Sequence, residues 1–228
     1  IGMGNVNILV GKSSRYTIAD HFEKAIPLHR LIEEGPSGVH YIGGGTGLSQ
    51  LLHVDRHQFE RFSAEFELIL KQYDYIFLDM GAGYSEQSMQ FMMAANEVFI
   101  ITTPEPTSIT DAYSMMKFLA KRTADVPFYL ICNRALSRAS GEETLSRLAE
   151  AARQFLNKEV FLLGVVPDDS SVGEAVLRQI PFIDFDPKAG ASLALNELLH
   201  IYLGKGSKEV SQGDSFISRI RRYLFQHR

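Results

Sequence analysis

The sequence has very little cysteine and no long apolar run. Its single cysteine, Cys132, excludes an internal disulfide and any cluster held by several cysteines of this chain, which fits a reducing compartment. Cys132 ends the apolar run 128–132, so we expect it to pack as a small hydrophobic side chain. No stretch of about 18 consecutive apolar residues occurs, so the sequence contains no candidate membrane span.

Positive charge is also in short supply. The 23 lysines and arginines are outnumbered by 27 aspartates and glutamates, and the net charge of −4 gives no electrostatic argument for binding nucleic acid. The apolar and charged fractions, 45% and 22%, are those of an ordinary globular protein. A chain of 228 residues is long enough for an α/β domain with a real core.

Short apolar runs alternate with longer helical patterns along the chain. The runs show little alternation of polar and apolar residues, as expected for strands of a parallel sheet that is covered on both faces. The order of elements therefore predicts an α/β fold with a doubly wound, mostly parallel sheet flanked by helices. The predicted strands are residues 39–42, 75–79, 97–103, 128–133 and 160–166.

Polar residues mark the predicted helix starts. Thr17 with Asp20 is typical of a capping box, and Asp55 precedes a segment whose aromatic and aliphatic residues fall on one face. Three more helices are predicted to follow Ser85, Thr107 and Gly141.

The segment 73–83, YDYIFLDMGAG, runs from an apolar strand directly into Asp79 and a glycine-rich turn. Ligands of open α/β sheets bind at the carboxyl ends of strands, and a carboxylate buried there without a partner is costly. A hydrated Mg²⁺ beside a phosphate would explain Asp79, and Gly81 and Gly83 would let the backbone approach that phosphate closely. Alternatively, Asp79 caps the helix that is predicted to begin near Ser85.

Three further strand ends carry polar residues. Glu105 and Asp111 lie at a helix start, where they either favour the helix dipole or form an acidic pair that awaits a cation. An asparagine amide such as that of Asn133 both donates and accepts, which suits a purine edge, although such residues are also common in ordinary turns. The residues after the last two strands are Asn133 and Arg134, and then Pro167 and Asp168.

In this order and spacing, the segments YDYIFLDMGAG, TTPEPTSITDA, Asn133-Arg134 and VPDD resemble those of the MinD/ParA-type deviant Walker ATPases, P-loop proteins of the SIMIBI class. Within that family they are most similar to the FlhG (YlxH) group, which regulates flagellar number and placement. The resemblance covers roughly residues 1–203 and again the C-terminal tail. Residues 1–11 resemble the segment that follows the family's second strand.

The resemblance implies roles for the matching residues. Asp79 would be the switch aspartate that holds Mg²⁺ through water, and Gly83 would donate its N–H group to the γ-phosphate during catalysis. Asn133 would read adenine with Arg134 beside it. The residues lining the base would be Pro167 and Asp168, and those holding the resting lysine of the phosphate loop would be Gly2, Asn5, Glu105, Thr107 and Asp111.

The resemblance also implies cofactors and partners. These are ATP or ADP with Mg²⁺, a second copy bound on ATP binding, an FlhF-like GTPase, proteins of the flagellar C-ring and an anionic membrane surface. The expected location is the cytoplasm, peripherally attached to the inner face of the cell membrane. Nucleic acid is not an expected partner.

One element of that family does not occur in the printed sequence, namely the phosphate loop, GKGGVGKS or similar. The glycine cluster at residues 43–47 lacks the lysine of G-x-x-x-x-G-K-[ST], so we interpret it as a turn after a strand. By the family pattern, an N-terminal piece with two strands, the loop and a helix would precede Ile1. Because that piece supplies most of the phosphate contacts, we expect this chain alone to be inactive and the intact protein to be an ATPase.

Two other functions remain open at this point. One is a non-enzymatic adaptor with a degenerate nucleotide site, and the other is a MinD-like regulator of the cell-division site. A predicted ATPase domain spans residues 1–203, a flexible linker spans 204–213, and an amphipathic membrane-targeting helix spans 214–228.

The tail has an apolar face and a basic remainder. Its four arginines and one aspartate give it a charge of +3 in a chain of −4, and its main apolar residues fall within an arc of about 120°. This pattern is typical of a helix that lies on an anionic membrane, although such a helix can also dock on its own domain. The predicted membrane residues are Phe216, Ile217, Arg219, Ile220, Arg221, Arg222, Tyr223 and Leu224.

Overall fold

The computed structural model describes residues 6–9, 11–12, 14–43, 54–80, 86–123, 126–204 and 215–225. The chain divides into two compact units. The first comprises Ile1–Phe91, Gln179–Pro181 and Ile217–Arg228, and the second comprises Met92–Arg178 and Phe182–Phe216.

Helices make up most of the regular structure. Two short 3₁₀ turns, Leu28–Arg30 and Pro36–Gly38, accompany them in the first unit. The α-helices are α1 Val6–Leu9, α2 Ile18–Lys24, α3 Arg56–Leu70, α4 Glu86–Ala94, α5 Pro106–Ala120, α6 Arg138–Leu156, α7 Ser170–Leu177, α8 Phe182–Phe185, α9 Gly190–Gly204 and α10 Phe216–Phe225.

The strands that the structure describes form two separate sheets. In the first unit, β1 (Ile32–Glu34) pairs antiparallel with β2 (His40–Ile42). In the second unit, β3 (Val98–Thr102), β4 (Phe128–Ala135) and β5 (Phe161–Pro167) form a parallel sheet in the order β3-β4-β5. The predicted α/β fold with a parallel sheet flanked by helices is confirmed.

The central strand β4 is the most deeply buried element of the parallel sheet. Phe128, Leu130 and Cys132 are each 0% exposed, which is expected of a strand that has a neighbour on both sides and helices on its faces. Burial raises the pKa of the Cys132 thiol, so this cysteine packs as an apolar side chain, as the sequence predicted.

A β-bulge at Gly164 decides which residues of β5 meet which helix. The pairing register with β4 shifts at this point, and Gly164 has a positive φ of 144°. As a result, Leu163 and Val166 both lie on the side of Leu198 in α9, whereas Val165 lies against Gly141 in α6. A Cβ atom at position 141 would collide with Val165, so the close approach of α6 to β5 requires glycine there.

Two predicted strands are wrong in place or in pairing. Residues 75–79 form no strand, and Tyr75, Ile76 and Phe77 are 52%, 38% and 75% exposed. A strand needs a neighbour for its backbone groups, and no described strand pairs with this segment. The run at 39–42 does form β2, but it pairs antiparallel with β1 and not in the parallel sheet.

Local capping signals were the more reliable guide to the helices. The Asp20 carboxylate accepts the backbone N–H of Thr17 at 2.8 Å at the start of α2. At the start of α3, Asp55 and Gln58 each accept the other's backbone N–H, at 2.8 and 3.0 Å. Both predicted starts are confirmed.

Two other predicted helix starts are displaced. The helix placed after Thr107 begins two residues earlier than predicted, at Pro106, because proline suits the first turn of a helix. The helix placed after Gly141 begins at Arg138, where the Ser137 side chain accepts the N–H of Ser140. Gly141 therefore lies within α6. The start after Ser85 agrees with α4, although Ser85 itself lies outside the described residues.

The core of the first unit surrounds a fully buried histidine. The ring of His21 is 0% exposed and makes edge contacts with Phe22 and Phe62. Its Nδ1 atom lies 2.8 Å from the carbonyl oxygen of Ile26, so Nδ1–H donates, while Nε2 has no hydrogen-bond partner. Burial lowers the pKa of His21, because a charged imidazolium would have to lose its water in an aromatic environment.

This buried histidine predicts a pH dependence of stability. Because the pKa of His21 is lowered in the folded state, the unfolded chain binds the proton first, and stability is lost as the pH falls below about 6.5. The free energy of unfolding from urea titrations should fall by up to about 1.4 kcal/mol per pH unit.

The matching experiment compares slopes between pH 7.5 and pH 5. His21→Leu should flatten the slope, whereas His200→Leu, at an exposed position of α9, should leave it unchanged. Identical slopes in the wild type and His21→Leu would contradict the assignment.

Candidate functional site

The carboxyl ends of β3, β4 and β5 lie at one edge of the parallel sheet. The pairing runs from Val98–Phe128 to Thr102–Cys132 on one side of β4 and ends at Ala135–Pro167 on the other. Binding sites of open α/β sheets form at such an edge, where loops follow the strands. The polar residues predicted at these strand ends therefore lie at neighbouring ends of the sheet and in the segments that follow them.

The carboxyl ends of β4 and β5 are in direct contact with each other. The backbone N–H of Asp168 donates to the carbonyl oxygen of Ala135 at 3.0 Å. The side chains also meet, because Nε of Arg134 lies 3.6 Å from Oδ1 of Asp168. Both side chains remain well exposed, at 66% and 47%. Four predicted base-site residues, Asn133, Arg134, Pro167 and Asp168, are thus brought together at one place.

Arg134 holds an uncommon backbone conformation at this edge. Its φ of +55° lies in the left-handed region, which costs a non-glycine residue roughly 1 kcal/mol. Its backbone N–H donates to Oδ1 of Asn133 at 3.0 Å. Because the amide oxygen of Asn133 is held in this way, the amide nitrogen remains available to donate to a ligand. Strained residues of this kind occur frequently at ligand sites.

A hydroxyl network joins the end of β3 to the first turn of α5. The Ser108 hydroxyl accepts the backbone N–H of Thr103 at 2.9 Å and lies 3.1 Å from the Thr102 hydroxyl. This network fixes the start of α5, where Glu105, Thr107 and Asp111 are exposed. Neither carboxylate forms an ion pair within the part of the chain that the structure describes.

Asp169 is a structural residue that the sequence reasoning missed. Its Oδ1 atom accepts the N–H of Ser171 at the start of α7, at 2.9 Å, and its Oδ2 atom accepts the N–H of Ala191 in α9, at 3.1 Å. These hydrogen bonds from Ser171 and Ala191 lower the pKa of Asp169. An aspartate before two serines is a recognisable helix start, but the link to α9 is long-range.

Asp79, the predicted Mg²⁺ residue, lies in the first unit and is exposed. Gly83, Gly2 and Asn5 lie outside the described residues, so the structure does not test them. Within the described ranges no three His, Cys, Asp or Glu side chains come together as a metal site.

The tail helix α10 packs on α3 within the first unit. Ile217 and Ile220 are only 2% and 1% exposed. The ring of Phe225 lies 5.3 Å from that of Phe59, and Nη2 of Arg221 lies 3.6 Å from Oε2 of Glu60. The apolar face of the tail is therefore covered, as in the alternative that the sequence left open.

The other predicted membrane residues differ in exposure. Phe216, Arg219 and Tyr223 are half-buried, while Arg221 and Arg222 are exposed. The side chain of Leu224 lies outside what the structure describes. Among the described helices, none combines the length and apolar character that crossing a bilayer requires.

Comparison with known proteins decides the family. No protein-family model matches the chain. The chain is 31% identical over 194 residues to the antiactivator FleN of Pseudomonas aeruginosa, a match that covers 85% of this chain and 69% of FleN. The chain belongs to the MinD/ParA-type P-loop ATPases. It is also 26% identical over 230 residues to the flagellum site-determining protein YlxH of Helicobacter pylori, covering 98% of this chain and 78% of YlxH.

A solved MinD structure shares the fold. Septum site-determining protein MinD from Pyrococcus horikoshii, in complex with Mg-ADP, matches with a TM-score of 0.63 and 23% identity, covering 90% of this chain and 82% of that one. The predicted family, MinD/ParA-type and close to FlhG, is confirmed. Members of this family are ATPases.

The double cap of Asp169 predicts a loss of stability on substitution. Asp169→Ala removes acceptors from two helix starts and should lower the free energy of unfolding by about 2 kcal/mol in urea titrations. Asp169→Asn keeps one acceptor oxygen and should cost less.

Asp168→Ala is the matched control for this prediction. Its ion pair with Arg134 is exposed and long, so the free energy of unfolding should fall by less than about 0.5 kcal/mol. Equal losses in Asp168→Ala and Asp169→Ala would show that the two caps contribute nothing of their own.

Proposed function

We propose that the intact protein is an ATP-driven switch that dimerises, associates with the membrane and controls flagellar number or placement. Its similarity to FleN and YlxH supports the flagellar role. The single structural observation that supports nucleotide binding most strongly is the joined edge at Asn133, Arg134 and Asp168.

The nucleoside would lie at this edge. The amide of Asn133 would contact adenine, with Arg134 beside it, and Pro167 with Asp168 would line the base. The left-handed backbone of Arg134 supports the arrangement, because the backbone N–H of Arg134 donates to the amide oxygen of Asn133 and so orients that amide. Nucleotide affinity should therefore depend on Asn133 more than on an exposed residue elsewhere on the sheet edge.

The triphosphate end would involve different residues. Asp79 would hold Mg²⁺ through water, and Gly83 would donate its N–H to the γ-phosphate. Before dimerisation, Glu105, Thr107 and Asp111, together with Gly2 and Asn5, would hold the lysine of a phosphate loop. The carboxylates of Glu105 and Asp111 support this role, because they form no ion pair among the described residues and each can accept an ammonium group.

The tail would connect nucleotide state to the membrane. The apolar face of α10 that would enter a membrane is the face that Ile217 and Ile220 bury in the first unit, so the two positions exclude each other. A dimer carries two tails, and the second binds at high effective concentration once the first is attached. ATP-dependent dimerisation would thereby favour membrane attachment, with an FlhF-like GTPase and C-ring proteins as partners.

ATP turnover by the full-length gene product tests the enzymatic part of this proposal. Asp79→Asn should lower turnover at least about tenfold, because the neutral amide no longer attracts Mg²⁺ and its water. Asn133→Ala should weaken ATP binding, measured by calorimetry, with a smaller effect on turnover at saturation. Asp74→Asn, also exposed in the same segment, is the control and should leave both unchanged.

Unchanged turnover and ATP binding in both variants would overturn the assignment of these residues to the nucleotide site. Absence of ATP turnover and ATP binding in the unmutated full-length protein would favour a non-enzymatic adaptor. Counting flagella in cells that carry Asp79→Asn tests the cellular role separately.

Vesicle binding tests the role of the tail. Glu60→Arg removes the ion pair with Arg221 and places like charges together, so it should raise binding to anionic vesicles by about threefold. Glu67→Arg makes the same charge change at an exposed position of α3 and serves as the control. Ile217→Asp should abolish binding. Equal vesicle binding with ATP, with ADP and after deletion of residues 214–228 would refute the membrane switch.

A further inference from the structure

The outer edge of β5 carries a groove that the proposed nucleotide and membrane functions do not use. The groove has a volume of about 220 Å³ and lies between α6 and the beginning of β5, in the second unit. From α6 it is lined by Glu150 and Arg153, and from the strand side by Glu159, Val160 and Leu162.

The backbone beside this groove is an open sheet edge. In the parallel sheet, β5 pairs with β4 along one of its sides, and no described strand pairs with its other side. An edge strand presents N–H and C=O groups that can pair with another extended chain. The part of this edge that lies along the groove is the beginning of β5, before the bulge at Gly164.

The groove has an apolar floor. Leu162 is 39% exposed and lies on the same side of the strand as Val160, two residues before it. A chain paired along β5 would direct every second side chain to this side, over the floor. The exposed apolar surface would then be covered by the occupant, as in other complexes formed by strand addition.

The charged lining indicates the chemistry of the occupant. Glu150, Arg153 and Glu159 form no ion pair among the described residues, whereas Glu142, also exposed on α6, pairs with Arg138. Two carboxylates and one guanidinium leave the lining with a net negative charge, which favours a basic side chain in the occupant. A second copy paired through this edge would bring two such linings together, so charge disfavours self-pairing.

We propose that this groove, the β5-edge groove, binds an extended segment of a partner protein in which apolar and basic residues alternate. The segment pairs with the backbone of β5, places an apolar side chain over Leu162 and places a lysine or arginine between Glu150 and Glu159. This binding is independent of nucleotide, since the groove contains none of the proposed nucleotide residues.

The test uses displayed random linear dodecapeptides, selected on the purified chain and then synthesised. Selected peptides should alternate apolar and basic residues. The double reversal Glu150→Lys with Glu159→Lys should weaken their binding at least about tenfold. The pair Glu67→Lys with Glu174→Lys makes the same charge change at exposed positions that do not line the groove and should change binding less than about twofold.

Exchanging the charges of the groove and the peptide distinguishes a direct contact between them from a general electrostatic attraction. Replacing the basic residue of the selected peptide by glutamate should restore binding to the Glu150→Lys and Glu159→Lys variant. The proposal would be overturned if the selected peptides showed no alternation of apolar and basic residues, or if both double variants bound the peptides equally well. It would also be overturned if the chain formed a dimer in sedimentation experiments and the double reversal in the groove dissociated that dimer.

Discussion

The structure of the second unit depends on the parallel pairing of β4 with a neighbour on each side. This pairing buries Phe128, Leu130 and Cys132 completely and gives α6 and α9 a surface to pack on. It also sets the three strand ends at one edge, because parallel strands in register end together. The hydrogen bond from Asp168 to Ala135 then extends the pairing beyond the regular ladder and into the proposed base site.

The sequence predicted those parts of the fold whose cause is local. The strands of the parallel sheet are continuous apolar runs, and the starts of α2 and α3 depend on side chains within one turn. The segment 75–79 has the same apolar pattern, but none of the described strands pairs with it, and composition does not reveal strand pairing. Asp169 and Gly141 were missed or misread for the same reason, since their roles involve Ala191 and Val165, distant in the chain.

For the candidate site and the tail, too, the sequence predicts some features, while others become visible only in the fold. Sequence order alone placed Asn133, Arg134, Pro167 and Asp168 at strand ends, whereas the backbone conformation of Arg134 and its contact with Asp168 required the fold. An amphipathic pattern predicts a helix and its apolar face but not the surface that covers it. For α10, a membrane and the aromatic surface around Phe59 are both apolar, so the same residues suit either.

Gly141 places no side chain between α6 and the sheet, so helix and sheet approach each other closely at this position. Any larger residue at this position would clash with Val165 and push the start of α6 away from β5. The end of β4, which carries Asn133 and Arg134, is followed within a few residues by that start, so the displacement would be transmitted to the edge of the sheet. A residue that is remote from the proposed base site would in this way influence the position of the strand end at which that site lies.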